Sequence, residues 1–306
     1  MKISEVGEFG LIEIIKNMAN RKLVGGIGDD CAVIDIGREK ELLVTTDTLV
    51  EGVHFLKNTD AYRLGRKSLA VSVSDVAAMA ALPRWAFLSI SLRDMELGYV
   101  KAFMEGFYSL ADEFGIDLLG GDTTKSSVFS VTVTLIGVDD KGKSVKRGGA
   151  KVKDNVYVTG KIGCSYAGFE AVIKKIDGYE ECKERHNNPY PRLKEALSVK
   201  DYANAMIDVS DGLLQDCLHI CELSGVAIEI DLDKIPFCDA DFVDKEEMLA
   251  GGEDYELVFC APKEYENALN DIDNITKIGE VKEGFGVNVI KNSKQLNIKR
   301  LGFKHF

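Results

Sequence analysis

The chain has 306 residues, a length that fits two domains of ordinary size better than one. Hydrophobic residues make up 45% and charged residues 29% of it, which is typical of a globular protein and argues against disorder. The formal net charge is −12 and no long basic stripe is present, so we expect no nucleic-acid binding. An acidic protein can still accept an anionic substrate if bound cations neutralise its carboxylates.

The seven cysteines are scattered and form no CxxC pair, which argues against both a zinc ribbon and a disulfide framework. Cys217 and Cys221 are four residues apart on a predicted helix. We interpret them as buried thiols, with a redox or metal role as the alternative. The first residues lack a signal-peptide pattern, and no stretch approaches 18 uninterrupted apolar residues, so we expect a cytoplasmic protein without membrane contact.

In the N-terminal half, hydrophobic spacing predicts a mixture of helices and strands. The predicted helices cover 8–20, 62–82 and 99–114, and the last two are ended by Pro83 and Gly115. The predicted strands cover 42–46, 86–91, 116–119 and 130–137.

Residues 138–153 are rich in Asp, Lys and Gly and contain few apolar residues, so we place the domain boundary there. The predicted domains are therefore 1–140 and 141–306. In the second domain, strands are predicted at 155–159, 205–209, 228–232, 255–260 and 286–290, and helices at 168–176 and 211–223.

Acidic residues recur beside glycine, serine or threonine at the predicted ends of elements. They are Asp29, Asp30, Asp47, Asp122, Asp208, Asp211, Glu253 and Asp254. Any one of them could be a helix cap or a turn former. Asp75 differs, because it stands on an apolar helix, where a charge is costly unless it is paired or bound to a metal. As a set, these carboxylates with the hydroxyls of Thr45, Thr46 and Ser210 favour hard cations such as Mg²⁺, whose coordination substrate phosphates complete.

Two glycine-rich segments could bind phosphate. Residues 137–144 match GxxxxGK[ST], but the Val-Lys-Arg-Gly-Gly that follows is a poor helix start, so we interpret this segment as a turn between extended runs. Residues 160–168 lie between a predicted strand and a predicted helix, where a phosphate site and a plain turn are equal alternatives. Among the six basic residues of 141–153, Arg147 beside Gly148-Gly149 could reach a phosphate.

No Ser/His/Asp set, HExxH or protein-kinase signature is present among the four histidines His54, His186, His219 and His305. Phosphoryl transfer needs no covalent nucleophile, because positioning and charge neutralisation do most of the catalysis. We therefore assign no catalytic side chain.

Taken in order, several segments resemble the thiamine-monophosphate kinases. They are 28–33 (Gly-Asp-Asp-Cys-Ala-Val), 45–55 (Thr-Thr-Asp-Thr-Leu-Val-Glu-Gly-Val-His-Phe), 72–79 (Ser-Val-Ser-Asp-Val-Ala-Ala-Met), 120–124 (Gly-Gly-Asp-Thr-Thr), 157–160, 208–213, 251–257 and 302–306. The match spans nearly the whole chain, and the 45–55 segment is highly specific. The departures are small: Cys31 stands where a small residue such as alanine is usual, and the tyrosine that often faces ATP has no clear counterpart near Met104 and Tyr108.

The resemblance implies an α/β (α+β) fold of two domains, shared with aminoimidazole ribonucleotide synthetase. The N-terminal domain would form a dimeric β-barrel with flanking helices, and the C-terminal α/β domain, with a mixed sheet, would cover the active site. The implied reaction is ATP plus thiamine monophosphate giving ADP plus thiamine diphosphate, the last step of thiamine diphosphate biosynthesis. The transfer would be direct and in-line, assisted by several Mg²⁺ ions, in a homodimer.

The resemblance also implies residue roles. The expected Mg²⁺ ligands are Asp30, Thr45, Thr46, Asp47, Asp75, Asp122, Asp208 and Asp211. The expected ATP contacts are Gly121, Asp122, Arg147 and Ser210. The expected contacts to thiamine monophosphate are His54, Glu253 and Phe303. Phe303 offers a flat face to a heteroaromatic ring, with C-terminal packing as the alternative, and Glu253 offers a negative charge to a cationic one.

Two other interpretations stay open. Selenophosphate synthetase and the aminoimidazole enzyme also combine ATP with carboxylate-held Mg²⁺, but residues 1–24 lack the reactive cysteine expected of the former. A non-catalytic regulator that binds Mg²⁺-nucleotide is the alternative from another class, and the intact carboxylate set argues against it.

Overall fold

The computed structural model describes residues 5, 7–18, 28–37 and 39–303. The predicted end of the first helix, 19–20, and the motif residues 304–306 lie outside this part of the chain. The first described helix, α1, is Glu8–Met18. None of the described helices is both long and apolar enough to cross a bilayer.

The N-terminal domain contains a mixed sheet of five strands in the order β1-β2-β5-β3-β4. The strands are β1 Ala32–Asp35, β2 Lys40–Val50, β3 Leu82–Leu92, β4 Asp117–Lys125 and β5 Ser130–Asp140. Only β3 and β4 are paired in parallel. Within the described residues β1 and β4 are the two edges, so a single chain forms an open sheet and not a closed barrel.

Two long helices, α2 (Ala61–Ala78) and α3 (Leu97–Phe114), pack against this domain's core. They cross closely at two glycines. A Cβ atom at Gly65 would lie 1.9 Å from the carbonyl oxygen of Phe103, and one at Gly106 would lie 1.9 Å from that of Tyr62. Because real Cβ contacts are never that short, this crossing requires glycine at both positions.

The two faces of the sheet differ, as alternating side chains predict. The inner face contributes buried residues such as Leu43 of β2, Leu88 of β3 and Val133 of β5 to the core. The opposite face, here called the outer face, presents Trp85 and Phe87 with 36% and 39% of their surface exposed.

The C-terminal domain is built on a sheet of seven strands in the order β12-β11-β8-β10-β6-β9-β7, in which only β8 and β11 are parallel. Its strands are β6 Asn155–Thr159, β7 Ala205–Asp208, β8 Ala227–Asp231, β9 Leu257–Ala261, β10 Ile275–Lys282, β11 Gly286–Lys291 and β12 Lys294–Gln295. Its helices are α4 Cys164–Ile173, α5 Glu180–Asn187, α6 Leu193–Val199, α7 Leu213–Ser224, α8 Lys245–Ala250 and α9 Glu266–Asn270. Short 3₁₀ turns lie at Leu232–Lys234 and Lys263–Tyr265.

Helix α2 joins the two domains. It packs on β2 and β5 on one side and on β7 and α6 of the C-terminal domain on the other. Its many Ala, Ser, Gly and Val residues make this double burial possible, because small side chains allow close approach on both sides. The helix that carries Asp75 is therefore the centre of the domain interface.

Several predicted boundaries are wrong in an informative way. Helix α2 ends at Ala78, and Pro83 lies near the start of β3 instead of ending the helix. Strand β4 continues through Gly120-Gly121-Asp122-Thr123-Thr124, which the prediction left beyond the strand. Strand β2 runs on to Val50, so Asp47 lies inside a strand and not at its end.

Cys164 and Cys238 form one disulfide, which sequence reasoning did not predict, and the other five cysteines are free. The two bonded cysteines lie 74 residues apart in sequence, so no local spacing indicates the pair. They meet because the backbone of Ile162, two residues before Cys164, pairs with that of Phe237, one residue before Cys238. Cys217 and Cys221 are buried and free, in agreement with their interpretation as packed thiols.

Candidate active site

Three carboxylates from distant parts of the sequence meet at the domain interface. Oxygen atoms of Asp30, Asp75 and Asp208 lie within 4.8 Å of one another. Asp30 precedes β1, Asp75 is on α2, and Asp208 is the last residue of β7. We call these three residues the carboxylate cluster.

Hydroxyl groups orient the cluster and its neighbour Asp47. Thr45 donates to Asp75, and Ser74 Oγ donates to Asp208 Oδ2 over 2.6 Å. Ser72 Oγ donates to Asp47 Oδ2 over 2.7 Å. Thr45 and Asp47 are two residues apart on β2, so they point to the same face, towards α2.

Burial and mutual repulsion make these charges costly. Burial, together with Asp47 and Asp208, raises the pKa of Asp75 well above its usual value. Burial and the negative charge of Asp30 raise the pKa of Asp208 to about 8. The site therefore favours a bound cation, because its positive charge would offset both the lost solvation and the mutual repulsion.

Arg147 is a cation at the cluster. Its Nη2 and Nε atoms lie 2.6 Å and 3.1 Å from Asp30 Oδ1, and its backbone N–H donates to Asp29 Oδ1 over 2.9 Å. Burial would lower the pKa of Arg147, but the attraction of Asp30 outweighs it and raises the pKa. The predicted ATP contact Arg147 thus lies directly beside the predicted metal ligand Asp30.

The cluster fits a hard cation. Asp30 Oδ2 is buried and has no hydrogen-bond partner among the described residues, although a buried oxygen normally has one. The donors are carboxylate and hydroxyl oxygens, which Mg²⁺ prefers. The arrangement can therefore hold Mg²⁺ with Asp30, Asp75 and Asp208 as ligands.

A second acidic residue, which sequence reasoning missed, holds the loop next to the cluster. Asp216 Oδ2 accepts the backbone N–H groups of Ser210, Asp211 and Gly212 over 3.1, 3.2 and 3.1 Å. Asp216 lies within 4.8 Å of Asp211 and His219 and could share a cation with them, but these three bonds show that it positions the loop. The available signal was an acid near the start of the predicted helix 211–223, and it lies in the first turn of the observed helix α7.

A cavity of about 600 Å³ borders the site, and it brings together the predicted acceptor contacts His54, Glu253 and Phe303. It also reaches Asp47, Ser210 and Asp211, so the acceptor and metal predictions meet on its wall. Lys67 and His186 line it too and had no role in the prediction.

Three predicted residues lie elsewhere. Thr46 is exposed, and its hydroxyl bonds to Thr134 on β5, because successive strand residues point to opposite faces. Asp122 is exposed on the edge strand β4, in register with Ser89. Gly121 lies three strands from Asp47, roughly 14 Å at the usual strand spacing. A single chain therefore does not bring Thr46, Asp122 and Gly121 next to Asp75, and their predicted roles stay predictions.

The two glycine-rich segments have plain structural roles. Residues 137–140 end β5, and no helix follows the Ser144 of the GxxxxGK[ST] match until α4. In the second segment, the N–H groups of Gly163 and Ser165 at the start of α4 donate to Asp254 over 2.6 and 3.0 Å. Because a carboxylate already occupies these donors, the strand-to-helix turn is the correct interpretation.

Known proteins resemble this chain along its whole length. Residues 28–138 match the family of AIR synthase related protein, N-terminal domain, and residues 151–292 match its C-terminal domain. Thiamine-monophosphate kinase of Aquifex aeolicus (strain VF5) is 39% identical over 319 residues and 100% of each chain. That of Escherichia coli (strain K12) is 36% identical, over 92% of this chain and 91% of the relative. The solved structure of AaThiL complexed with AMPPCP and TMP is similar with a TM-score of 0.90 and 37% identity, covering 100% of this chain and 99% of the other.

Both domains are matched, and the match to the Aquifex aeolicus relative covers the whole chain. The chain therefore belongs to the thiamine-monophosphate kinase family, within the AIR synthase related proteins.

Proposed function

We propose that this enzyme transfers the γ-phosphoryl group of ATP directly to thiamine monophosphate, giving ADP and thiamine diphosphate. The observation that carries the proposal is a buried carboxylate cluster that fits Mg²⁺, next to a cavity large enough for a small acceptor. Similarity to a structure that holds AMPPCP and TMP supports the same pair of substrates. No covalent nucleophile is required, because the acceptor phosphate itself attacks in line.

On the donor side, we propose that Asp30, Asp75 and Asp208 hold Mg²⁺, with Asp47, Asp211 and Thr45 completing the sites. Bound Mg²⁺ would supply the positive charge that lets an acidic pocket accept a polyphosphate. Arg147, beside Asp30, is proposed to contact the phosphates of ATP, and Ser210 to contact ATP from the loop that Asp216 holds.

On the acceptor side, we propose that the cavity holds thiamine monophosphate between His54, Glu253 and Phe303. The Glu253 carboxylate complements a cationic, amine-bearing ring. Phe303, which is 41% exposed, can cover such a ring with its flat face. Asp47, Ser210 and Asp211 line the same cavity, so an acceptor phosphate placed there would face the donor side.

We further propose that the enzyme is a homodimer joined through the outer face of the five-stranded sheet. Trp85 and Phe87 give this face an exposed aromatic surface. Thr46 and Asp122 lie on the same face. In such a dimer, Thr46, Asp122 and Gly121 of one copy would contribute to the site of the other copy.

The test is direct. The purified protein is mixed with ATP, Mg²⁺ and thiamine monophosphate, and the products are separated by chromatography. We expect equal amounts of ADP and thiamine diphosphate, and no product when EDTA removes the metal. ADP formation without thiamine diphosphate would point to another ATP-dependent enzyme of the superfamily, and binding without ADP formation would point to a regulator.

A further inference from the structure

Lys67 is a buried cation that the assigned roles leave unexplained. It is only 2% exposed, lies two helical turns before Asp75 on α2, and contributes to the cavity wall. A lysine is rarely buried to this extent unless its charge is paired. Its Nζ atom lies 3.1 Å from Glu253 Oε2 and donates to the backbone oxygen of His186, also over 3.1 Å.

The partner, Glu253, is held in one position. Its φ angle is +68°, in the left-handed region that few non-glycine residues adopt, and its N–H donates to the Ser210 oxygen over 2.8 Å. Lys67 binds only one of its carboxylate oxygens. The other, Oε1, is buried and lacks a hydrogen-bond partner among the described residues. An unsatisfied buried acceptor on a cavity wall indicates a ligand donor.

The surrounding charges keep Glu253 anionic. Burial would raise its pKa, but Lys67, His186 and His54 together lower the pKa below its usual value. His186 Nδ1 lies 3.5 Å from Glu253 Oε2 and 3.0 Å from the hydroxyl of Ser165. Burial and Lys67 lower the pKa of His186 to about 4, so His186 is uncharged at neutral pH.

We propose that Lys67 is a positioning residue for acceptor binding: it fixes the carboxylate of Glu253 by one oxygen, so that the other accepts an N–H group of the acceptor's amine-bearing ring. This role rests on the proposed function. Lys67 acts through Glu253 and not on the acceptor, because its described bonds run to Glu253 and to the main chain of His186.

The experiment is a double-mutant cycle. Dissociation constants for thiamine monophosphate are measured by calorimetry for wild type, K67M, E253Q and K67M/E253Q, and KM for ATP is measured in parallel. We expect K67M and E253Q each to weaken thiamine monophosphate binding on the order of tenfold, as for a charge-assisted hydrogen bond. KM for ATP should stay within about twofold. In the E253Q background, K67M should add little further loss, because the two residues act as one unit.

The matched control is R66M. Arg66 is the neighbouring cation on α2 and bonds to Asn188 and Glu113 over 3.0 and 3.2 Å, away from the cavity. The R66M variant should therefore bind thiamine monophosphate with the affinity of the wild type. If K67M alone unfolds, the comparison of K67M/E253Q with E253Q still decides, because the double variant removes both charges and leaves neither of them buried without a partner.

The outcomes separate the two proposals. Additive losses from K67M and E253Q would show that Lys67 contacts the acceptor itself and would overturn the positioning role. Normal binding by K67M would also overturn it, while the proposed function stands. No binding of thiamine monophosphate by the wild-type protein would refute the proposed function, and the role of Lys67 with it.

Discussion

At the scale of single residues, the site brings together carboxylates that repel one another, and few cationic groups offset their negative charge. Of the cluster residues, Asp30 and Asp208 are buried and Asp75 is half-buried, and Arg147 is the cation bonded to Asp30. Sequence patterns identified Asp30 and Asp208 by their Gly and Ser neighbours, and Asp75 as a charge on an apolar helix. They could not identify Asp216 and Lys67, because an acid or a lysine on a helix is ordinarily a solvated surface residue.

Asp75→Asn tests this balance. The change keeps the shape of the side chain but removes a buried negative charge, so turnover should fall on the order of 10²-fold or more. The metal-free variant should also unfold at a higher temperature than the metal-free wild type, because both the cost of burying the carboxylate and its repulsion with Asp47 and Asp208 are relieved. Steady-state kinetics over a range of Mg²⁺ concentrations and thermal unfolding in EDTA measure the two effects.

The control for this variant is Asp117→Asn, at an exposed position at the start of β4. It should change neither turnover nor the unfolding temperature measurably. If Asp75→Asn kept normal turnover and its normal Mg²⁺ dependence, Asp75 would not be a metal ligand.

At the scale of elements, helices and strands with strong apolar periodicity were predicted with small errors. Strands whose sequence lacks a clear apolar alternation were missed or cut short. Strand β6 was predicted with its observed bounds, and α3 was predicted to end at Gly115, which adopts a left-handed φ of 64°. Strand β10, near the middle of its sheet, was missed, because its Lys and Glu residues hide the apolar alternation. Strand β4 was cut short, because Gly-Gly-Asp-Thr-Thr favours a turn unless neighbouring strands hold it extended.

The connecting segment 141–154 offers a matched pair of basic residues. Lys143 is exposed, whereas Arg147 bonds to Asp30. Lys143→Ala should change stability by no more than about 0.5 kcal/mol and leave KM for ATP near that of wild type. Arg147→Ala should raise KM for ATP clearly, because it removes the cation at the carboxylate cluster. An inactive but folded Lys143→Ala protein would restore the P-loop interpretation and refute this nucleotide site.

The crossing of α2 and α3 also has a matched test. Gly65→Ala places a methyl group against the Phe103 carbonyl, so stability should fall by about 1–3 kcal/mol or more. Gly98→Ala is the control, because nothing lies within 4 Å of its Cβ position, and it should leave stability equal or slightly higher. Chemical denaturation measures both variants. Equal stabilities for the two would mean that the helices can separate at little cost.

At the scale of the whole molecule, the site exists because α2 holds the two domains together. The bond from Ser74 to Asp208 crosses from one domain to the other, and the carboxylate cluster draws on both. The sequence indicated the acids in each domain separately. Their meeting depends on packing between segments more than 130 residues apart (Ser74 and Asp208 are 134 apart), which no local pattern encodes.

The outer face carries the last prediction. Phe87 is exposed on β3, between the strands that bear Thr46 and Asp122, and a dimer through this face would bury it. Phe87→Asp should therefore convert the proposed homodimer to a monomer in light scattering, because a buried unpaired charge is costly. Activity should fall with it if Asp122 serves the second copy. Leu97→Asp, equally apolar but 67% exposed on α3, should stay dimeric and active. A wild-type monomer with full activity would refute the dimer and leave Thr46 and Asp122 outside the site.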